Sequence, residues 1–326
     1  MSSAPDVADV PDVAEADPRR VGVGTGLALV SITSVQFGAA TAAHLFDRVG
    51  ALGTVGLRLA VAALLLVAIT RPWRAIRTGA DLRAALVFGA VFTAMNTTLY
   101  LAIERLPLAT VITLEFLGPL GVAIVTARAW RVRAWALPAA TGVALLAGAL
   151  PSGDLAGVAF ALAAACCWAG YIVLSGRLGR EGTGLAGLAV GCAAGAVVML
   201  PVGAATAGAA MLHPGTVAIG VAVGVLSSAI PYSLDLLSLR RLPTAVFGVL
   251  TSLNPGMAAL AGALLLSQAP GAAQLAGVAL VTLASAGVTL QSALRSRGRS
   301  RSARRQVPVA GVDALGQPVR VGEPAQ

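Results

Sequence analysis

Apolar residues follow one another in long runs along most of this chain, and short segments rich in Pro, Gly and Arg separate the runs. Most runs hold about 20 residues, enough for a helix to cross roughly 30 Å of hydrocarbon. They predict ten transmembrane helices, at residues 24–46, 50–70, 84–103, 108–127, 134–150, 155–175, 184–206, 215–239, 245–267 and 271–291. The predicted fold class is an all-α polytopic membrane protein.

The two ends of the chain lack such runs. Residues 1–23 predict a disordered acidic tail, without the basic start and short apolar core of a cleaved signal peptide. Residues 292–326 predict a second disordered tail, rich in Arg. A solvated tail explains its charge, attraction to anionic lipid headgroups is an alternative, and RNA binding is a weaker one.

The composition excludes an ordinary soluble domain. Hydrophobic residues make up 57% of the chain and charged residues 11%, with a mean hydropathy of +0.84, whereas about a quarter of a soluble domain is charged. The net charge of +9 comes from arginines that lie mainly between the apolar runs, which indicates membrane topology and predicts no nucleic-acid partner. A chain without Lys and rich in Ala, Gly, Val and Arg is typical of a GC-rich bacterium, so we expect a bacterial plasma membrane.

The arginines predict the orientation. With ten helices, 20 of the 23 arginines fall on one side of the membrane, and Arg48 and Arg105 fall on the other. The remaining one, Arg58, lies within the second predicted span. The positive-inside rule then places both termini in the cytoplasm.

An internal repeat divides the chain into two halves. ERLPLATVITLEFLGPLGVAIV aligns with RRLPTAVFGVLTSLNPGMAALA, which places Pro119 on Pro255. We therefore predict five-helix repeats at 24–150 and 151–291. Because five is odd, the second half crosses the membrane in the opposite sense, and inverted repeats are typical of secondary transporters with a substrate site near the midplane.

Prolines mark weak points in three predicted helices. Proline has no N–H for the carbonyl four residues earlier, so Pro119 cannot pair with Glu115, nor Pro255 with Thr251. Pro231 has the same relation to Ser227. We expect a loosened turn at the middle of each repeat, where unpaired backbone can face a solute.

Glu115 is the main candidate for transport chemistry. It lies seven residues into its predicted span, where a carboxylate is costly. One interpretation is a proton or amine site facing an aqueous cavity; the alternative is a protonated acid bonded to a neighbouring helix. Further candidates for the same cavity are Gln36, Asn96, Tyr100, Trp168, Tyr171, Tyr232, Asp235, Thr251 and Asn254, although each polar side chain has a packing alternative, and Asp235 has an interfacial one near Arg240 and Arg241.

Other features argue against further chemistry. Cys166, Cys167 and Cys192 lie in apolar runs, and His44 and His213 are far apart, so no metal or cofactor is expected. We find no catalytic constellation, and no P-loop lysine exists to bind ATP, so we expect no enzyme. Glycines spaced by four at 187, 191 and 195 predict close helix packing within the chain, with a homodimer contact as the alternative.

Three stretches carry a resemblance to a known family: MNTTLYLAIERLPLATVITLEFLGPL, CWAGYIVLSGRLG and IPYSLDLLSLRRLPTAVFGVLTSLNP. They resemble the amino-acid exporters of the drug/metabolite transporter superfamily, which carry paired EamA-type domains, and the likeness covers roughly residues 24 to 291. The resemblance implies efflux of small neutral amino acids such as threonine and homoserine in exchange for protons. The lipid bilayer, an amino acid and a proton would then be the partners. The rival is an EamA-type exporter of another metabolite or a drug, and the remote alternatives are an intramembrane enzyme and a scaffold without transport.

The resemblance also implies site residues. The matching positions are Glu115 with Gly118 and Pro119, Asn96, Trp168, Tyr171, and Pro231 through Asp235. This chain departs from the family at Asn254, and at Ser267 and Gln268, where acidic positions of the family are absent. Glu115 is the mid-membrane carboxylate that remains.

Overall fold

The computed structural model describes residues 18–127, 129–148, 154–180 and 184–306. These residues form helices and connecting turns and contain no β-strand. The helices are α1 Pro18–Ala43, α2 Phe46–Thr70, α3 Gly79–Ile103, α4 Leu108–Glu115, α5 Leu117–Thr126, α6 Trp130–Arg133, α7 Ala136–Gly148, α8 Leu155–Arg180, α9 Gly184–Ala207, α10 Pro214–Gly224, α11 Ile230–Leu239, α12 Thr244–Thr251, α13 Asn254–Leu266 and α14 Ala272–Gln306. The predicted fold class, an all-α polytopic membrane protein, is confirmed.

Nine stretches of the described residues are long and apolar enough to cross a membrane. Three of them are interrupted helices: α4 with α5, α10 with α11, and α12 with α13. The predicted span at 134–150 corresponds to α7, whose 13 residues reach about 20 Å at 1.5 Å per residue. Residues 149–153 lie outside the described part, so the count of ten stays a prediction.

The ends of the chain differ from their prediction. Helix α1 begins at Pro18, within the segment predicted to be disordered, because proline is well suited to the first turn of a helix. Helix α14 runs on to Gln306, so the predicted disorder is wrong for residues 292–306, where Ala, Leu and Arg favour a helix. Residues 1–17 and 307–326 lie outside the described part.

Local signals explain several helix ends. The Thr78 hydroxyl accepts from the Asp81 amide, and the Asp81 carboxylate accepts from the Thr78 amide, which caps α3 at its first turn.

The boundary between α1 and α2 lies at residues 44–45, before the predicted gap, and Gly50 takes a positive φ of 66° inside α2. Only glycine adopts that conformation without strain.

Small residues let the helices approach closely. A Cβ added to Gly191 would lie 2.6 Å from the Cα of Gly89, so α9 and α3 touch backbone to backbone. In lipid the hydrophobic effect does not hold helices together, so close van der Waals contacts of this kind stabilise their packing. The predicted packing face at Gly187, Gly191 and Gly195 is thus used within the chain, at least at Gly191.

The outer surface is apolar, as contact with lipid requires. Leu64, Val125, Leu155 and Val197 each expose more than 70% of their area. Inside, α1 packs against α11 and α13, α2 against α9 and α10, and α4 against α13. These contacts join helices from the two predicted halves, and α1, α2, α4, α11 and α13 also contribute to the wall of a central cavity.

Candidate functional site

Two helices break four residues before a proline. Helix α4 ends at Glu115 and α5 begins at Leu117; α12 ends at Thr251 and α13 begins at Asn254. Pro119 and Pro255 have no N–H to donate to the carbonyls of Glu115 and Thr251. Both predicted loosened turns are therefore present, each immediately after a residue that lines the cavity.

A third irregular segment lies between α10 and α11. Residues 225–229 form a π-helical turn two residues before Pro231, which cannot donate to the carbonyl of Ser227. Such turns are frequent at functional sites because they redirect side chains within a helix. Ser227 and Pro231 both line the central cavity.

The central cavity has a volume of about 550 Å³. Pockets for small molecules usually hold about 300 to 1,000 Å³, so a small amino acid fits with room for water. Helices from both predicted halves contribute to its wall. Among the predicted residues, the wall contains Gln36, Asn96, Glu115, Pro119, Trp168, Tyr171, Asp235, Thr251 and Asn254.

Glu115 lies at the end of α4 and exposes 6% of its surface. The neighbouring Phe116 ring packs edge-on against Trp168, with ring centroids 5.1 Å apart. This contact holds the break between α4 and α5 against α8. Glu115 is therefore held at the cavity wall by an ordered turn, and its binding of a proton or an amine stays a prediction.

Arg58 is a cavity residue that the sequence analysis did not select. It lies in the middle of α2, exposes 8% of its surface and lines the cavity. Its guanidinium donates a 3.1 Å hydrogen bond to the Tyr100 hydroxyl and lies 5.5 Å from the centre of that ring. It lines the same cavity as Glu115.

An amide network ties α1 to the break between α12 and α13. Gln36 Nε2 donates to Asn254 Oδ1 at 2.7 Å, and Asn254 Nδ2 donates to the Thr251 carbonyl at 2.8 Å. The second bond satisfies the carbonyl that Pro255 cannot reach. Asn254 thus has a visible structural role at a position where the resembling family is acidic.

Three buried oxygens on the cavity wall have no hydrogen-bond partner among the described residues. They are Gln36 Oε1, Asn96 Oδ1 and Ser227 Oγ. The three side chains expose 4% of their area or less. Buried polar atoms are normally paired, so these three residues of the cavity wall are unusual; the Ser227 hydroxyl faces Gly38 of α1.

Three predicted site residues are not among the lining residues. Gly118 packs against α8, where an added Cβ would overlap the carbonyl oxygen of Ala165. Tyr100 is fully buried, and its hydroxyl accepts a hydrogen bond from Arg58. Tyr232 lies on α11, but its side chain is outside the part of the chain that the structure describes.

Several lining residues were missed. Arg58 carried a usable signal, because an ionisable residue inside a membrane span is a functional candidate by default. Ser285 and Thr289 of α14 also line the cavity. They resemble ordinary packing residues in the sequence, and only the fold places them here.

Apolar helices of membrane-spanning length around a cavity with buried polar side chains define a polytopic membrane transporter. A model of the EamA-like transporter family matches residues 155–290. The threonine/homoserine exporters RhtA of Salmonella typhimurium (strain LT2) and Escherichia coli (strain K12) are each 40% identical to this chain over 269 residues, covering 80% of it and 90% of the exporter. The chain belongs to the EamA-like transporter family.

A solved crystal structure matches with a TM-score of 0.51 and 22% identity, covering 82% of this chain and 98% of the other. At that identity the likeness shows the fold alone. Family membership makes this chain a transporter of a small molecule and not an enzyme. With its apolar helices, it is a multi-pass inner-membrane protein.

Proposed function

We propose that this protein exports small neutral amino acids of the threonine and homoserine type by proton antiport. The observation that carries the proposal is Glu115, a buried carboxylate on the wall of a cavity of about 550 Å³. The relatives support the substrate class, since they are named threonine/homoserine exporters and are 40% identical to this chain.

The chemistry of a carboxyl group supports the coupling. The ionised form binds the α-ammonium of an amino acid, whereas a proton on the same oxygen removes the charge that attracts the ammonium. One site therefore holds either a proton or the substrate amine. A proton antiporter needs this property, because the proton that binds outside must displace the substrate amine from the carboxyl group.

Two inverted repeats, 24–150 and 151–291, form the proposed moving halves. In this arrangement both termini lie in the cytoplasm. The breaks after Glu115 and Thr251 are then equivalent by the pseudo-twofold axis, and the substrate lies between them.

The cavity is also consistent with loading from the cytoplasm. On α4 and α5 its lining runs from Ile112 to Ala123, towards the end that the proposal assigns to the cytoplasm. At the opposite end the amide of Leu108 donates to Gln268 Oε1 at 3.0 Å, linking α4 to the end of α13. An exporter in this state takes its solute from inside.

The decisive experiment compares efflux of labelled threonine and homoserine from cells that express the wild type or Glu115→Gln at matched membrane levels. We expect wild-type efflux that stops with a protonophore and is lost in the variant. Glu104→Gln is the matched control, because Glu104 lies at the outer end of α3, where its carboxylate accepts from the Ala51 amide at 3.3 Å. Wild-type efflux that survives Glu115→Gln would contradict the coupling role.

One feature of the cavity favours a second candidate, a larger aromatic metabolite or drug. Phe92, Phe116, Trp168 and Tyr171 line the wall and would stack on a flat solute. A screen of efflux substrates separates the two candidates. Export of aromatic compounds without export of threonine or homoserine would favour the second.

A further inference from the structure

Arg58 is a charged residue in the middle of a predicted membrane span. A guanidinium near the middle of a membrane span costs several kcal/mol unless it is compensated. Arg58 is 8% exposed and lines the cavity from α2, and Glu115 lines the same cavity from α4. A cation and a carboxyl group therefore line one small space.

Tyr100 fixes the guanidinium in place. Its hydroxyl accepts a 3.1 Å hydrogen bond from Arg58, and its ring lies 5.5 Å below the guanidinium carbon. Tyr100 is itself fully buried, and its ring packs against Phe46 at 5.9 Å between centroids. The planar fork of Arg58 is thus held by a side chain that cannot move freely, and such a fork matches a carboxylate.

We propose that Arg58 binds the α-carboxylate of the transported amino acid while Glu115 binds its α-ammonium. This inference rests on the proposed function and names the groups that recognise the substrate. A zwitterion carries one charge of each sign, so it neutralises both residues at once. Gln36 and Asn96, whose side-chain oxygens have no partner among the described residues, line the same cavity and supply acceptors for the ammonium or for a side-chain hydroxyl such as that of threonine.

The arrangement also explains selectivity. A solute that lacks the carboxylate offers Arg58 no charge-assisted hydrogen bond, and a solute that lacks the ammonium offers none to Glu115. Amines and simple acids therefore bind less well than zwitterionic amino acids. If Arg58 only balanced the charge of Glu115, removal of the substrate carboxylate would not change affinity.

The test measures equilibrium binding to the purified full-length protein in lipid nanodiscs at neutral pH. The ligands are L-threonine and L-threoninol, an amino alcohol that keeps the ammonium and the hydroxyl but has CH₂OH in place of the carboxylate. The proteins are the wild type, Arg58→Gln, Arg58→Lys and the control Arg105→Gln, whose arginine side chain is 46% exposed at the surface.

We expect the wild type and Arg105→Gln to prefer threonine over threoninol by at least about tenfold, since charge-assisted hydrogen bonds are the strong ones. Arg58→Gln should lose that preference through weaker threonine binding, and its threoninol affinity should not fall, because threoninol has no carboxylate for Arg58. Arg58→Lys should fall between them, because an ammonium keeps the charge and loses the fork.

Two results would overturn the inference alone: a wild type that binds threonine and threoninol equally, or an Arg58→Gln protein that keeps the preference. A wild type that binds neither ligand would overturn the proposed function and the inference with it. If Arg58→Gln does not yield folded protein, the two ligands on the wild type decide the question by themselves.

Discussion

The side-chain amide of Gln36 donates a 2.7 Å hydrogen bond to the side-chain oxygen of Asn254, which joins α1 to the first turn of α13. Asn254 in turn donates to the Thr251 carbonyl at 2.8 Å. One side chain from each predicted half therefore meets at the break in the second half. The bond lies on the cavity wall, so it links the stability of the break to the site.

This relationship predicts coupled effects of mutation. Gln36→Ala and Asn254→Ala should each lower the free energy of unfolding and with it the thermal midpoint. The double variant should lose less free energy than the two single variants added together, and the difference should be about 1 kcal/mol for a neutral hydrogen bond. A double-mutant cycle on the purified protein measures this coupling. Strictly additive losses would show that the bond does not contribute to stability.

Tyr100→Phe should weaken threonine binding about three- to tenfold, because the hydroxyl that accepts from Arg58 is lost while the ring remains. Threoninol binding to the same variant is the internal control and should not change, since that ligand has no carboxylate for Arg58. Binding in nanodiscs checks both. An equal loss for the two ligands would point to a general disturbance of the cavity and not to Arg58.

Gly118→Ala should destabilise the protein by roughly 1–3 kcal/mol, as overpacking of a tight contact does. The new Cβ would overlap the Ala165 carbonyl, and a backbone atom cannot rotate away. Gly121→Ala is the matched control on the same helix, because a Cβ there meets no atom within 4 Å. Thermal unfolding in detergent should separate the two variants, and equal midpoints would contradict the packing described for α5 and α8.

Asp154 should make the stability of the folded protein fall at acidic pH. Its carboxylate accepts from the Gly157 amide at 2.9 Å, which caps α8, and it pairs with Arg105 at 3.4 Å. The Gly157 amide is the main cause that holds the pKa of Asp154 below its ordinary value, and Arg105 adds to it. A lowered folded pKa means that this stabilisation is present above the ordinary aspartate pKa, about 4, and is lost as pH falls through the folded pKa.

The measurement is the thermal midpoint of the wild type minus that of Asp154→Asn. This difference should be positive and constant near neutral pH and should shrink on acidification below about pH 4. Arg105→Gln keeps the cap and should retain most of the pH dependence. A difference that grows with acidification would have the wrong sign for this assignment.

Much of the architecture could be predicted because it depends on local chemistry. Membrane spans need long apolar runs, so most helices followed from periodicity and composition alone. Two prolines gave the positions of the breaks after Glu115 and Thr251, since proline removes a specific hydrogen bond. The helical residues 18–23 and 292–306 were predicted to be disordered because they are polar, although their helix propensity allows them to extend the neighbouring apolar helices.

The sequence by itself determined the membrane class, the buried carboxylate and the two broken helices, because each follows from what hydrocarbon and the missing N–H of proline allow. Only the tertiary structure decided which polar residues share the cavity. Asn96, Asp235 and Thr251 come together on its wall with Arg58 and Ser285, while Gly118 turns to α8 and Tyr100 accepts a hydrogen bond from Arg58. The physical reason is that a polar residue in an apolar helix can face the cavity or a neighbouring helix, and long-range packing alone sets that rotation.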